Sequence, residues 1–142
     1  MMKRQITILS LLVVVASIFF SCKKDETSVK ARITGKWTVS KMEVTGYTAA
    51  DFAGDPNKIN GNLTHGATSD YMDFKSDDDD QVELSLKGNR TIGNYITVGD
   101  NFTMTFPEGI FYCTVNTFTT QNLQFTAKLD KTNVVKVFYL KR

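Results

Sequence analysis

Hydrophobic and polar positions alternate one by one along much of this chain, in short runs. Leu123, Phe125, Ala127 and Leu129 interleave with Gln124, Thr126 and Lys128. Phe102, Met104 and Phe106 interleave with Thr103 and Thr105, and Val82, Leu84 and Leu86 with Glu83, Ser85 and Lys87. A period of two marks a strand with one buried and one wet face. Runs of similar character predict further strands over 36–44, 71–75, 92–98, 110–116 and 134–140. In the first of these, Trp37 and Val39 share one face while Met42 and Val44 take the other. A bulge or bend near Lys41 is expected to re-aim the later pair. Gly, Asn and Asp punctuate the intervals 87–89, 99–101, 107–109 and 130–133, as tight turns require.

No long stretch carries a helical period. Short helical turns are expected only over 27–34 and near 49–52. Eight strands joined by short turns make an all-β protein, an eight-stranded antiparallel up-and-down meander. Closure into a β-barrel would remove its two exposed edges. The barrel domain is placed at 33–142. Segment 45–70 interrupts the pattern, with Gly, Asn, Ala and Thr around Pro56, and is expected to lie across one mouth.

The side chains assigned to the barrel interior are large. Besides Trp37, Leu84 and Phe106, they are Phe74, Ile96, Phe102, Met104, Phe111, Phe125 and Val137, and these seven are the candidate ligand-binding residues. An eight-stranded barrel either fills itself or holds one small ligand. With these residues the expected cavity is small or open at one end, and its lining suits a fatty, sterol-like or aromatic molecule. A solid interior is the alternative.

The N-terminus departs from all this. Lys3 and Arg4 precede an apolar run from Ile6 to Phe20, fifteen residues long. That suits a secretory signal and falls short of the roughly eighteen residues a spanning helix needs. Phe19-Phe20-Ser21-Cys22 closes the run and resembles a lipobox. It implies a signal peptide at 1–21, acylation of Cys22 with chains such as palmitate, and a lipidated tether over 22–32. An ordinary signal peptide or an uncleaved anchor is the alternative. The charged Lys23-Lys24-Asp25-Glu26 that follows fits a tether leaving a membrane. It also resembles a Lys-then-acids signal for the outer face of the outer membrane, so the expected address is the outer membrane, on its cell-surface or periplasmic face.

Removing 1–21 takes away Lys3 and Arg4, leaving 15 basic against 15 acidic residues. No basic stripe points to nucleic acid. The expected partners are therefore a membrane, through the lipid, and a small apolar ligand, with the barrel itself a monomer. With Cys22 acylated, Cys113 stands alone and reads as a small buried apolar residue. His65 is the only histidine, which leaves too few ligands for a zinc cluster and no evident partner for a nucleophile. No catalytic residue, metal or cofactor is assigned. Asp77 to Asp80 reads as a solvated acidic turn rather than a calcium loop. Tyr47, Phe52, Tyr71 and Tyr95 are candidates for an aromatic platform at the open mouth. A protein- or glycan-binding module working through its loops is the alternative function.

Gly35-Lys36-Trp37, opening the first of eight strands, is similar to the lipocalin signature. The stretches GKWTVSKMEV at 35–44, YMDFKSD at 71–77, GNYITVGDNFTMTF at 93–106 and VKVFYLKR at 135–142 resemble the small lipocalin-like lipoproteins of Gram-negative bacteria. The resemblance implies that Trp37 closes the barrel floor, with Arg142 or Lys141 packed across its face. It also implies non-catalytic carriage of a small ligand.

Overall fold

The computed structural model describes residues 28–55, 57–76 and 80–142. The described residues open with a short helix, α1 (Val29–Ile33), whose first turn is capped by the Ser28 hydroxyl accepting from the Ala31 amide. Then come β1 (Gly35–Thr45), α2 (Ala49–Gly54), β2 (Gly61–Thr64), β3 (Tyr71–Phe74), β4 (Gln81–Leu86) and β5 (Asn89–Val98). The remaining strands are β6 (Asn101–Phe106), β7 (Gly109–Phe118), β8 (Asn122–Leu129) and β9 (Val135–Lys141). From β3 to β9 each strand pairs antiparallel with the next, and β9 returns to β1 from Thr38 to Thr45. The sheet is thereby closed.

The nine segments form eight staves. β2 and β3 lie end to end along the same edge of β1, opposite Lys41–Val44 and Gly35–Thr38 respectively. Together they are one interrupted stave. The break is bridged by backbone bonds from His65 to Ser40 and from Val39 to Asp70. The segment expected as a loop with a helical turn near 49–52 carries that turn as α2 and also contributes half a stave, since β2 was not legible in its polar Gly-Asn-Leu-Thr. The acidic turn expected at Asp77 to Asp80 lies outside the described residues except for Asp80, which pairs with Lys30 at 2.6 Å.

Two bulges shape the core. The first lies between Val39 and Lys41, where it turns Met42 and Val44 inward beside Trp37 and Val39, as the slipped phase of β1 demands. The second lies between Val115 and Thr117 and turns Phe118 inward against Trp37, with ring centroids 6.2 Å apart. The deeper half of the barrel is filled by a chain of rings running Tyr95, Phe74, Phe102, Phe125, Phe138. Successive centroids are 5.2, 5.8, 4.9 and 5.0 Å apart. The first three contacts are edge-to-face and the last is stacked, and ring pairs at these distances add to the burial of the rings themselves.

Two strands present the opposite face from the one expected. Ile96 is 65% exposed on the outer wall, and β5 buries Gly93 and Tyr95 instead. The Tyr95 ring packs on Phe74 and its hydroxyl donates to the Lys75 carbonyl at 2.8 Å. A Cβ at Gly93 would come 2.3 Å from the Thr105 carbonyl oxygen and 2.6 Å from the Phe106 ring. Only glycine lets the sheet curl over Phe106 at that point. In β9 the buried positions are Phe138 and Leu140, so Val137 faces outward.

The two ends of the barrel differ. At one end α1, Trp37, Phe118 and Arg142 form a closed cap. The Trp37 indole N–H donates to the Ile33 carbonyl at 2.8 Å, and the Arg142 guanidinium carbon lies 3.9 Å from the Trp37 ring centroid. Arg142 also donates to the carbonyls of Arg32, Ile33 and Thr34, which satisfies the C-terminal end of α1. The resemblance had left Lys141 and Arg142 open; Arg142 fills the role.

Candidate functional site

The other end is open. It is framed by the end of β1, the β4–β5 and β6–β7 turns, and the start of β9. A cup of about 650 Å³ lies there. Its floor is made by Leu84, Leu86, Met104, Phe106, Phe111 and Phe138. Phe138 is also the last ring of the aromatic chain below, so the floor rests on the solid half of the barrel. The volume falls within the roughly 300–1,000 Å³ usual for ligand pockets.

The rim is polar and built from distant parts of the chain. Tyr47 follows Gly46, whose φ is +94° and where a Cβ would meet the Asn133 carbonyl at 1.9 Å. Glycine is thus obligatory at this corner, and the corner brings the Tyr47 ring over the mouth. Asn60 pins the same residue from the other side, its amide nitrogen donating to the Tyr47 carbonyl at 3.0 Å and its carbonyl oxygen accepting from the Tyr47 N–H at 3.1 Å. The Tyr47 hydroxyl donates to Glu108, on the β6–β7 turn. The Lys136 ammonium, from β9, donates to the second Glu108 oxygen at 2.7 Å. Lys136 lies 5.0 Å from the Phe111 ring centroid and 5.5 Å from that of Tyr47, within reach of both aromatic faces. Burial, together with the Glu108 carboxylate, pushes the Tyr47 hydroxyl far above the ordinary phenol range, so it stays a hydrogen-bond donor. Asp55, Asn57 and Lys58 complete the rim on the side of α2.

Of the seven candidate ligand contacts, Met104 and Phe111 line the cup. Phe74, Phe102 and Phe125 lie in the packed chain beneath it, buried and fully surrounded. Ile96 and Val137 lie on the outer wall, for the reasons given above. Missed were Phe138 and the polar groups of the rim other than Tyr47, which was expected at the open mouth. Gly46-Tyr47 was the one local signal of the rim, since a glycine followed by an aromatic just after a strand marks a tight corner. The four-membered aromatic platform does not form. Tyr47 lines the mouth and Tyr95 lies in the core, while Phe52 is exposed on α2. Tyr71 is on the outer wall, where its hydroxyl donates to Glu83.

The remaining reactive groups lie apart from the cup. Cys113 is buried, and burial pushes its thiol well above the usual range, as an inert core residue requires. The His65 side chain is 4% exposed, with Nδ1 3.6 Å from the Asp70 carboxylate. It sits at the break between β2 and β3. Among the described residues, no group of three or more His, Cys, Asp or Glu side chains could hold a metal ion. The outer wall of β5 to β7 exposes Ile92, Ile96, Val98, Ile110 and Tyr112, and the register sets Ile96 beside Thr103 and Thr103 beside Tyr112.

A search of curated proteins returns no match to this chain. A family profile described as "Lipocalin-like domain" matches residues 33–125, from the end of α1 through β1 into β8. The match covers the Trp37 floor and most of the staves that build the mouth, and the closed eight-stave barrel is the architecture it describes. The chain therefore belongs to the lipocalin-like domain family.

Proposed function

We propose that this protein is a membrane-anchored, non-catalytic binder that holds one small, largely apolar molecule in the open end of its barrel. A lipocalin-like barrel is in general a small-ligand-binding architecture, and the family is generally non-catalytic. The observation that carries the reading here is the cup of about 650 Å³ with six apolar side chains as its floor. Burying an apolar ligand there removes hydrocarbon from water on both partners, at about 25 cal/mol per Å².

Anchorage is part of the proposal. Cys22 carries the lipid, the signal 1–21 is removed, and the barrel hangs from the outer membrane by the residues between Cys22 and α1. The support is the charge, length and end of the N-terminal apolar run, which lies outside the described residues. The cup is complete within one chain, so the monomer is the working unit.

Two measurements test this. Native mass spectrometry of protein purified from its own cells should show a bound small molecule, and a neutral apolar fluorophore such as N-phenyl-1-naphthylamine should bind one to one. Failure of the fluorophore to bind the folded protein would refute the ligand reading. The anchor is tested separately: Cys22→Ser should move the protein from the membrane to the soluble fraction.

The exposed Ile92, Ile96, Val98, Ile110 and Tyr112 favour a second reading, an interaction module. These residues lie on the strands rather than in the loops. Ultracentrifugation of wild type and Ile96→Lys would decide it for self-association, since only an interface would make sedimentation depend on that residue.

A further inference from the structure

The charges at the mouth come already paired. Glu108 receives the Lys136 ammonium on one oxygen and the Tyr47 hydroxyl on the other. The side chains of Lys136 and Glu108 are only 16% and 23% exposed, so the pair sits within the cup's wall rather than in bulk water. Across the rim as a whole, Lys58 and Lys136 face Asp55 and Glu108, two positive against two negative groups.

This balance discriminates among amphiphiles that share one apolar tail. A carboxylate head would have to share the Lys136 ammonium with Glu108, setting two negative charges around one positive one in a partly dehydrated site. A cationic head would oppose Lys136 in the same way. Like charges held close where water is scarce cost a great deal. An uncharged head meets no such cost. Lys136 has two N–H donors beyond the one given to Glu108, and a carboxylate oxygen accepts more than one hydrogen bond. A hydroxyl, ester or amide could therefore accept from Lys136 and, where it carries a proton, donate to Glu108, leaving the ion pair intact.

We infer that the cup selects an uncharged amphiphile, with its apolar body on Leu84, Leu86 and Phe106 and a hydrogen-bonding head at the Lys136–Glu108 pair, over fatty-acid-like anions and over cations. This inference rests on the ligand-binding reading and adds the head-group class to it.

The test uses the full chain carrying Cys22→Ser, so that no acyl chain of its own enters the assay. N-phenyl-1-naphthylamine is the reporter, displaced by 1-decanol, decanoate or decyltrimethylammonium, three heads on a matched tail. Decanol should displace the reporter at a concentration about ten-fold lower than either ion. In Glu108→Gln the freed lysine should reverse the order of decanol and decanoate. In Lys136→Met the uncompensated Glu108 should instead favour decyltrimethylammonium. Circular dichroism checks that each variant is folded. Tighter binding of decanoate than decanol by the Cys22→Ser chain, or an order unmoved by both charge variants, overturns the head-group inference and leaves the cup standing. A reporter that never binds removes the cup reading and this inference with it.

Discussion

The two ends of this barrel are built from the same staves and come out opposite. At the closed end the inward residues are large and the polar groups that reach in find backbone partners. Trp37 is fully buried, its N–H is satisfied by Ile33, and Arg142 answers three carbonyls at the end of α1. At the open end the polar groups of the rim satisfy one another across the gap, as Tyr47, Glu108 and Lys136 do. One end uses its interactions for stability and the other spends its apolar surface on a vacancy. The lesson is that a helix docked on the rim makes a floor, whereas a chain corner such as Gly46-Tyr47 makes a door.

The comparison can be broken most forcefully at the floor. Trp37→Ala should cost about 3–5 kcal/mol in urea unfolding, the range for deleting a buried large aromatic. Reporter binding at the mouth should survive in the fraction that stays folded; loss of both together would mean that the ends are not independent. Next in size is Arg142→Met, which removes the cation over Trp37 and leaves the α1 carbonyls to water. A loss of about 1–3 kcal/mol is expected, again without effect on the cup. At the mouth the signs reverse: Leu84→Trp, at a half-buried position of the cup floor, should fill it and weaken reporter binding about ten-fold or more while moving stability by less than about 1 kcal/mol.

The smallest effect belongs to neither end. On the outer wall the Arg90 guanidinium grips Glu83 through two bonds, at 2.8 and 2.9 Å, and with the Tyr71 hydroxyl holds its carboxyl down to about 2. A folded value below the unfolded one, about 4.3, means that the contribution is present in full above that pH. It is lost as pH falls from there towards about 2. Thermal unfolding of Glu83→Gln should accordingly show a flatter acid limb than wild type, with reporter binding at neutral pH unchanged.

Much of the fold was legible in the chain because it is written locally. The strands of β4, β6 and β8 alternate cleanly, and their turns carry the residues that tight turns need. The slip in β1 announced its bulge through the positions of four apolar residues. Two strands could not be phased in that way. In β9 both faces are apolar, Val135, Val137 and Tyr139 on one side and Phe138 and Leu140 on the other. Lys136 weighs locally against the second face, yet that is the one that turns inward, because Lys136 sits at the mouth where Glu108 meets it. In β5 the more apolar face, Ile92, Ile96 and Val98, is the outer one. The inner face is set by Gly93, which must lie bare under Phe106, a partner thirteen positions on. The candidate site suffered most, since two of its seven expected residues were on these strands and three were in the solid core.

The amino-acid sequence alone determined the number of staves, their direction of travel and the bulge in β1, each of which follows from spacing among near neighbours; the role of Trp37 at the floor came from the resemblance to lipocalins. Segment 45–70 was expected across the mouth and does supply part of its rim, but only the tertiary structure decided which groups guard it. Tyr47 and Glu108, on two separate connections, and Lys136, on β9, are brought together by closure of the sheet, and pairing between groups so far apart in the chain leaves no trace in local periodicity.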